Sequence, residues 1–111
     1  MTDFAGLEVT SDDGESVVDR VSTVTVVGEI DYSTSPQLRR ALVDVLDARA
    51  PDAVVDLSAV DFIDASGIGV LVGAARLADS WGGQLFIRNP SWAVRLVLDV
   101  LELDGALAVE R

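Results

Sequence analysis

The chain has no histidine, no cysteine and no lysine, and its eight basic residues are all arginine. Without histidine or cysteine there is no Ser–His or Cys–His nucleophile pair, no imidazole or thiolate set for zinc, and no disulfide framework. Without lysine, Schiff-base chemistry and the phosphate-loop lysine are excluded as well. A cysteine-free chain fits a reducing compartment. Long apolar runs are also missing. The longest, around residues 68–75, falls far short of the roughly 20 residues a membrane span needs. The opening MTDFAGLEVT has neither the basic n-region nor the apolar h-region of a secretory signal. These absences predict a cytoplasmic chain with no membrane insertion, no cofactor and no metal.

What is present defines a globular domain. In 111 residues, 50% are hydrophobic and the mean hydropathy is +0.37. That is enough for one core but not for two, so a single domain over residues 1–111 is expected. The net charge of −11 repels nucleic acid and anionic membranes and favours basic partners.

Taken in order, residues 4–10 (FAGLEVT) read as a short first strand and residues 11–16 (SDDGES) as an acidic, solvated turn. Residues 17–27 are rich in Val and Thr, the composition of a strand, with Val24 and Val26 on one face and Thr23 and Thr25 on the other. The pair suggests a hairpin. Gly28-Glu29-Ile30-Asp31 ends the strand, and Ser35 or Thr34 before Pro36 reads as a helix N-cap. Leu38, Ala41, Leu42, Val45 and Leu46 then form one apolar stripe, with Arg39, Arg40, Asp44 and Asp47 opposite. Ala50-Pro51 stops this helix. Residues 53–57 form an interior strand, apolar on both sides.

After a polar loop ending at Asp64, a helix is predicted from Ser66 to about Ser80, closed by Gly82-Gly83. Its apolar residues fall in two stripes, Ile68, Leu71, Val72 and Ala75, then Val70, Ala74, Leu77 and Trp81. Either the helix is buried between sheet and neighbouring helix, or part of this surface meets a partner. Gly69 and Gly73 leave a shallow groove. A strand at residues 84–87, an Asn89-Pro90 cap, a helix with Val94, Val97, Leu98 and Leu101, a Gly105 stop and a terminal strand at 106–109 complete the chain. The alternation defines an α/β fold, a small mixed and largely parallel sheet with helices packed on it.

Two chemistries merit weighing. Asp31, Asp56, Asp61 and Asp64 are placed near strand ends, where acidic clusters in α/β folds can hold Mg²⁺. Solvated turn acids are the ordinary alternative. Ser66-Gly67-Ile68-Gly69 is too short for a phosphate-binding loop and has no basic residue nearby. As a nucleophile Ser66 lacks a histidine to activate it. Two readings of Ser66 remain, a helix cap accepting a backbone N–H or an exposed phosphate acceptor at the positive end of a helix.

GEID at residues 28–31, DLSAVDFIDASGIGVLV at 56–72 and IRNPSWAVRLVLDVLELD at 87–104 resemble the STAS-domain anti-sigma factor antagonists of bacteria. The resemblance implies a binding protein without catalysis of its own. Its partner would be an anti-sigma factor with Ser protein kinase activity, which phosphorylates the serine matched by Ser66 and thereby ends the complex. A PP2C-type phosphatase would restore it. Asp31 matches the Asp of the family's Gly-Glu-apolar-Asp turn. Asp31, Asp64, Ala65, Ser66, Gly67, Ile68 and Gly69 would form the partner-binding surface, and no Arg of the chain is expected to meet the phosphate. Ala65 stands where many relatives carry a second hydroxyl. STAS domains also serve as non-switching scaffold subunits of transport or sensory complexes, the alternative the resemblance allows.

Overall fold

A computed structural model describes residues 7–12, 21–47, 52–103 and 107–110. Its strands are β1 (Leu7–Asp12), β2 (Ser22–Ile30), β3 (Ala53–Ile63), β4 (Leu85–Arg88) and β5 (Ala108–Glu110), and its helices α1 (Ser35–Val45), α2 (Ala65–Ser80) and α3 (Trp92–Val100). The strands form one sheet in the order β1-β2-β3-β4-β5. β1 runs antiparallel to β2, and every later pair is parallel. Each parallel step is bridged by a helix, as parallel neighbours require a crossover. The expected mixed, largely parallel α/β sheet is the observed one.

The hairpin follows from alternation in β2. Val24 and Val26 are fully buried while Thr23 and Thr25 are half-buried. β1 begins at Leu7 and includes Ser11 and Asp12, which the composition had assigned to the turn. Phe4, residues 13–20, Ala50-Pro51 and Gly105-Ala106 lie outside the described residues. β2 does not stop before Gly28 but continues to Ile30. Gly28 absorbs the irregularity with φ of 120°, beside the register shift between Gly28 and Glu29. A positive φ next to a bulge is the position that favours glycine.

β3 is the largest departure from the sequence reading. Residues 58–63, expected as a polar loop, extend the strand by pairing with the end of β2, Val60 opposite Gly28 and Ile63 opposite Ile30. The first half is covered on both faces, with Ala53, Val54 and Val55 all buried. In the second half Ser58, Ala59, Asp61 and Phe62 are exposed, which hid the strand from a hydrophobicity pattern. Of β3, only Ala53–Asp56 pair with β4. Beyond it, Ser91 takes over, its N–H donating to Leu57 O at 3.2 Å and its Oγ–H to Val60 O at 2.6 Å. The same Oγ accepts from Val94 N–H at 3.2 Å, so Ser91, not Asn89, is the α3 N-cap.

α1 buries Leu38 and Leu42 and closes with buried Leu46, as its stripe predicts. It stops at Val45, well before Pro51. α2 starts one residue before Ser66 and ends at Ser80, where Gly82 adopts φ of +82° and Gly83 N–H reaches Ala78 O at 2.9 Å. Val70 and Ala74, from the second stripe, are buried like Ile68 and Leu71. α1 packs against α2, while Leu77 is half-buried and Trp81, just past the helix end, is exposed.

Gly67 sets how closely α2 approaches the sheet. A Cβ there would lie 2.5 Å from Ile30 Cγ2 and 2.8 Å from Ile63 Cγ1. At Gly73 a Cβ would meet nothing within 4 Å. Gly67→Ala is therefore expected to destabilise by about 1–2 kcal/mol, overpacking outweighing the gain in helix propensity. Gly73→Ala should stabilise by about 0.5–1 kcal/mol. Urea unfolding checks both, the two midpoints moving in opposite directions.

Candidate functional site

The ends of β2 and β3 lie side by side, with Ile30 paired to Ile63 and Asp64 N–H donating to Ile30 O at 3.1 Å. The next residue on each strand, Asp31 and Asp64, begins the approach to a helix. Asp64 is the N-cap of α2. Its Oδ1 accepts from Ser66 N–H at 2.9 Å and Gly67 N–H at 3.2 Å. The Ser66 hydroxyl donates to the same oxygen at 2.6 Å. Ser66 is thus not the cap. Its proton is committed to Asp64, and among the described residues its Oγ accepts nothing.

Asp31 repeats the device one strand over. Its Oδ1 accepts from Ser33 N–H at 2.9 Å, Ser33 Oγ–H at 2.8 Å and Thr34 N–H at 3.1 Å. Thr34 occupies the N-cap position of α1 without a side-chain capping bond. Its hydroxyl instead donates to Glu29 O at 2.9 Å, tying the helix start to β2. Ser58 binds Asp56 in the same way, N–H at 2.9 Å and Oγ–H at 2.7 Å. Three Asp-x-Ser triplets, at 31–33, 56–58 and 64–66, therefore share one geometry, and that repeat was the sequence signal for Asp as the turn-forming residue.

Both carboxyls are held below the ordinary aspartate value of 3.8, Asp64 chiefly by the Ser66 hydroxyl and Asp31 chiefly by Ser33. The Asp31 charge pushes Asp64 the other way, a consequence of the adjacent strand ends. Asp56 and Asp61 do not join them, since both sit inside β3 and not at its end. Among the described residues no group of three or more acidic side chains is arranged to hold a metal ion.

Of the seven residues expected at the binding surface, Ala65 and Gly69 are exposed, and Asp31, Asp64 and Ser66 are half-buried. Gly67 and Ile68 are buried and face the core. Both are thus core rather than surface positions, position 67 lying on Ile30 and Ile63. An open groove runs between the starts of α1 and α2, lined by Tyr32, Ser33, Pro36, Arg39, Ser66 and Gly69 among others. Tyr32 is 84% exposed. Arg39 corrects the expectation that no basic residue comes near Ser66. The two are far apart in sequence, and only the α1–α2 packing joins them.

Asp64→Ala should cost about 0.5–2 kcal/mol through loss of the cap. Asp64→Asn keeps an acceptor and should cost less. A lowered native pKa stabilises the fold in full above the ordinary carboxylate range and loses that contribution as pH falls through the native value. The acid limb of stability below about pH 4 should accordingly be shallower in Asp64→Asn than in wild type, as urea midpoints against pH would measure.

The STAS domain family model matches residues 16–110. The chain is 34% identical over 86 residues to an anti-sigma-B factor antagonist of Bacillus subtilis, covering 78% of each. It is 30% identical over 81 residues to an anti-sigma F factor antagonist of Paenibacillus polymyxa, covering 72% of this chain and 69% of the relative. The crystal structure of an anti-sigma factor antagonist from Mycobacterium paratuberculosis superposes with a TM-score of 0.78 at 28% identity, over 93% of this chain and 84% of that one. With the family model matching most of its length and a relative at 34% identity over 78% of each chain, the chain belongs to the STAS domain family.

Proposed function

We propose that this protein is an anti-sigma factor antagonist that binds, when unmodified, an anti-sigma factor with Ser protein kinase activity and so frees a sigma factor. Phosphorylation of Ser66 ends the complex, and a PP2C-type phosphatase restores it. The reading rests on Ser66, a half-buried residue that lines an open groove and directs its hydroxyl proton to Asp64. The antagonist names of the relatives support it. No catalysis by the chain itself is involved.

In the modification step, Ser66 Oγ forms a bond to the γ-phosphorus of ATP supplied by the partner. The bond from that phosphorus to the β–γ bridging oxygen breaks, ADP leaves, and the hydroxyl proton departs on the side where Asp64 accepts it. The docking surface is the rim around this hydroxyl: Asp31, Asp64, Ala65, Ser66 and Gly69, continuing along the exposed Gly73 and Arg76 of α2.

The energetics suit a switch without refolding. A phosphate adds about −1.5 to −2 charge. The start of α2 offsets roughly 0.3–1 kcal/mol of this at an exposed position, and Asp64 retains its two backbone donors. The domain stays folded. In a docked, water-poor interface the same charge stands beside Asp31 and Asp64, and a loss of about 3–4 kcal/mol weakens binding on the order of a hundred- to a thousandfold.

Incubation with a kinase-type anti-sigma factor and ATP, followed by mass spectrometry, is expected to place phosphate on Ser66. Phosphate on Ser33, which shares both the groove and the Asp-x-Ser geometry, or none at all, would overturn the assignment. Ser66→Ala should abolish modification yet keep binding. Ser66→Asp should weaken binding at least tenfold. Equal binding by wild type and both variants would favour a non-switching scaffold subunit.

A further inference from the structure

Arg39 is exposed, and among the described residues no carboxylate holds it in an ion pair. It lines the same groove as Ser66 from the opposite helix. Loss of the Ser66 hydroxyl proton changes the balance of that groove. Unmodified, the side chain is drawn to Asp64 by a 2.6 Å hydrogen bond. A phosphoserine has no proton to donate at Oγ, and Asp64 Oδ1 remains occupied by the N–H groups of Ser66 and Gly67. The dianion and the carboxylate repel each other, so the attraction that fixed the side chain becomes a force turning it away.

Among the described residues, the titratable and charged groups at the Ser66 groove are Asp64 beside it, Asp31 and Tyr32 on the turn before α1, and Arg39 on α1. The first two repel a phosphate. Arg39 is the cation among them, and a guanidinium presents paired N–H donors that match phosphate oxygens. We propose that Arg39 receives the Ser66 phosphate, closing an ion pair across the α1–α2 groove. The inference rests on Ser66 being the modified residue. It adds that the modified protein is held off not by repulsion alone but by a latch that draws Arg39 over the groove beside the docking rim.

The experiment installs phosphoserine at position 66 of the full chain during synthesis, so it needs no kinase. The phosphate is then followed by ³¹P NMR against pH. Its second ionisation, near pH 6 in a free phosphoserine, should have its midpoint raised by about half a pH unit on Arg39→Ala, the size of an exposed ion pair. Arg39→Lys should restore most of the difference. Arg40→Ala, on the next exposed residue of the same helix, should leave the midpoint where it was. An unchanged midpoint in Arg39→Ala, or an equal rise in Arg40→Ala, overturns the latch. Circular dichroism of each phosphorylated variant confirms that the fold is retained. A kinase that never modifies Ser66 would defeat the proposed function, whereas this titration, with the phosphate built in, reports on the latch alone.

Discussion

Everything at the site depends on a close approach of backbone to sheet. Gly67 has no side chain, so the first turn of α2 can settle on the methyl groups of Ile30 and Ile63, where a Cβ would come within 2.5 Å. Those isoleucines are the last paired residues of β2 and β3. The contact therefore fixes the helix start relative to both strand ends at once. It places Ser66 over Asp64, beside the turn held by Asp31, and at the edge of a groove whose far wall is α1. A larger residue at 67 would lift the helix and open that arrangement before it touched any functional group.

On this platform one hydrogen bond carries two duties. The Ser66 hydroxyl donates to Asp64, which lowers the carboxyl's pKa and strengthens it as a helix cap. The same bond orients the oxygen that the proposed switch modifies. Under the proposed switch, phosphorylation would remove the donor and add charge, so Asp64 would lose its largest stabilising partner and gain a repulsive neighbour. The two backbone N–H bonds would remain. That separation, a backbone frame that persists around a side chain that changes, would allow a large effect on binding without a change of fold. The solved anti-sigma factor antagonist from Mycobacterium paratuberculosis shares the fold on which such a site is built.

Local patterns located the helices well and the second half of β3 badly. α1 and α2 turn the predicted stripes inward, all but the exposed Trp81 being buried or half-buried, because a period of 3.6 residues has no competing interpretation over three or more turns. Residues 58–63 carry an Asp, a Ser and exposed Ala and Phe, and nothing local distinguishes them from a loop. They are a strand because β2 lies alongside. Two caps differ from the sequence reading for a related reason. Asp64 at the strand end, not Ser66, takes the first N–H groups of α2, and Ser91, not Asn89, caps α3 while also bonding β3; Thr34 holds the expected N-cap position of α1 but turns its hydroxyl to Glu29 O.

The sequence alone determined the class of fold, the helix faces, and Ser66 and Asp31 as the residues to watch. It did so because periodicity, composition and short motifs are properties of neighbours along the chain. It also excluded histidine, thiol and lysine chemistry outright. Only the tertiary structure decided that Asp64 caps the helix, that Gly67 and Ile68 face inward, that Asp56 and Asp61 stand apart from the site, and that Arg39 shares a groove with Ser66. Each of these depends on the distance between segments that parallel crossovers bring together, and such distances are set by packing across the sheet and between helices, which no stretch of sequence specifies by itself.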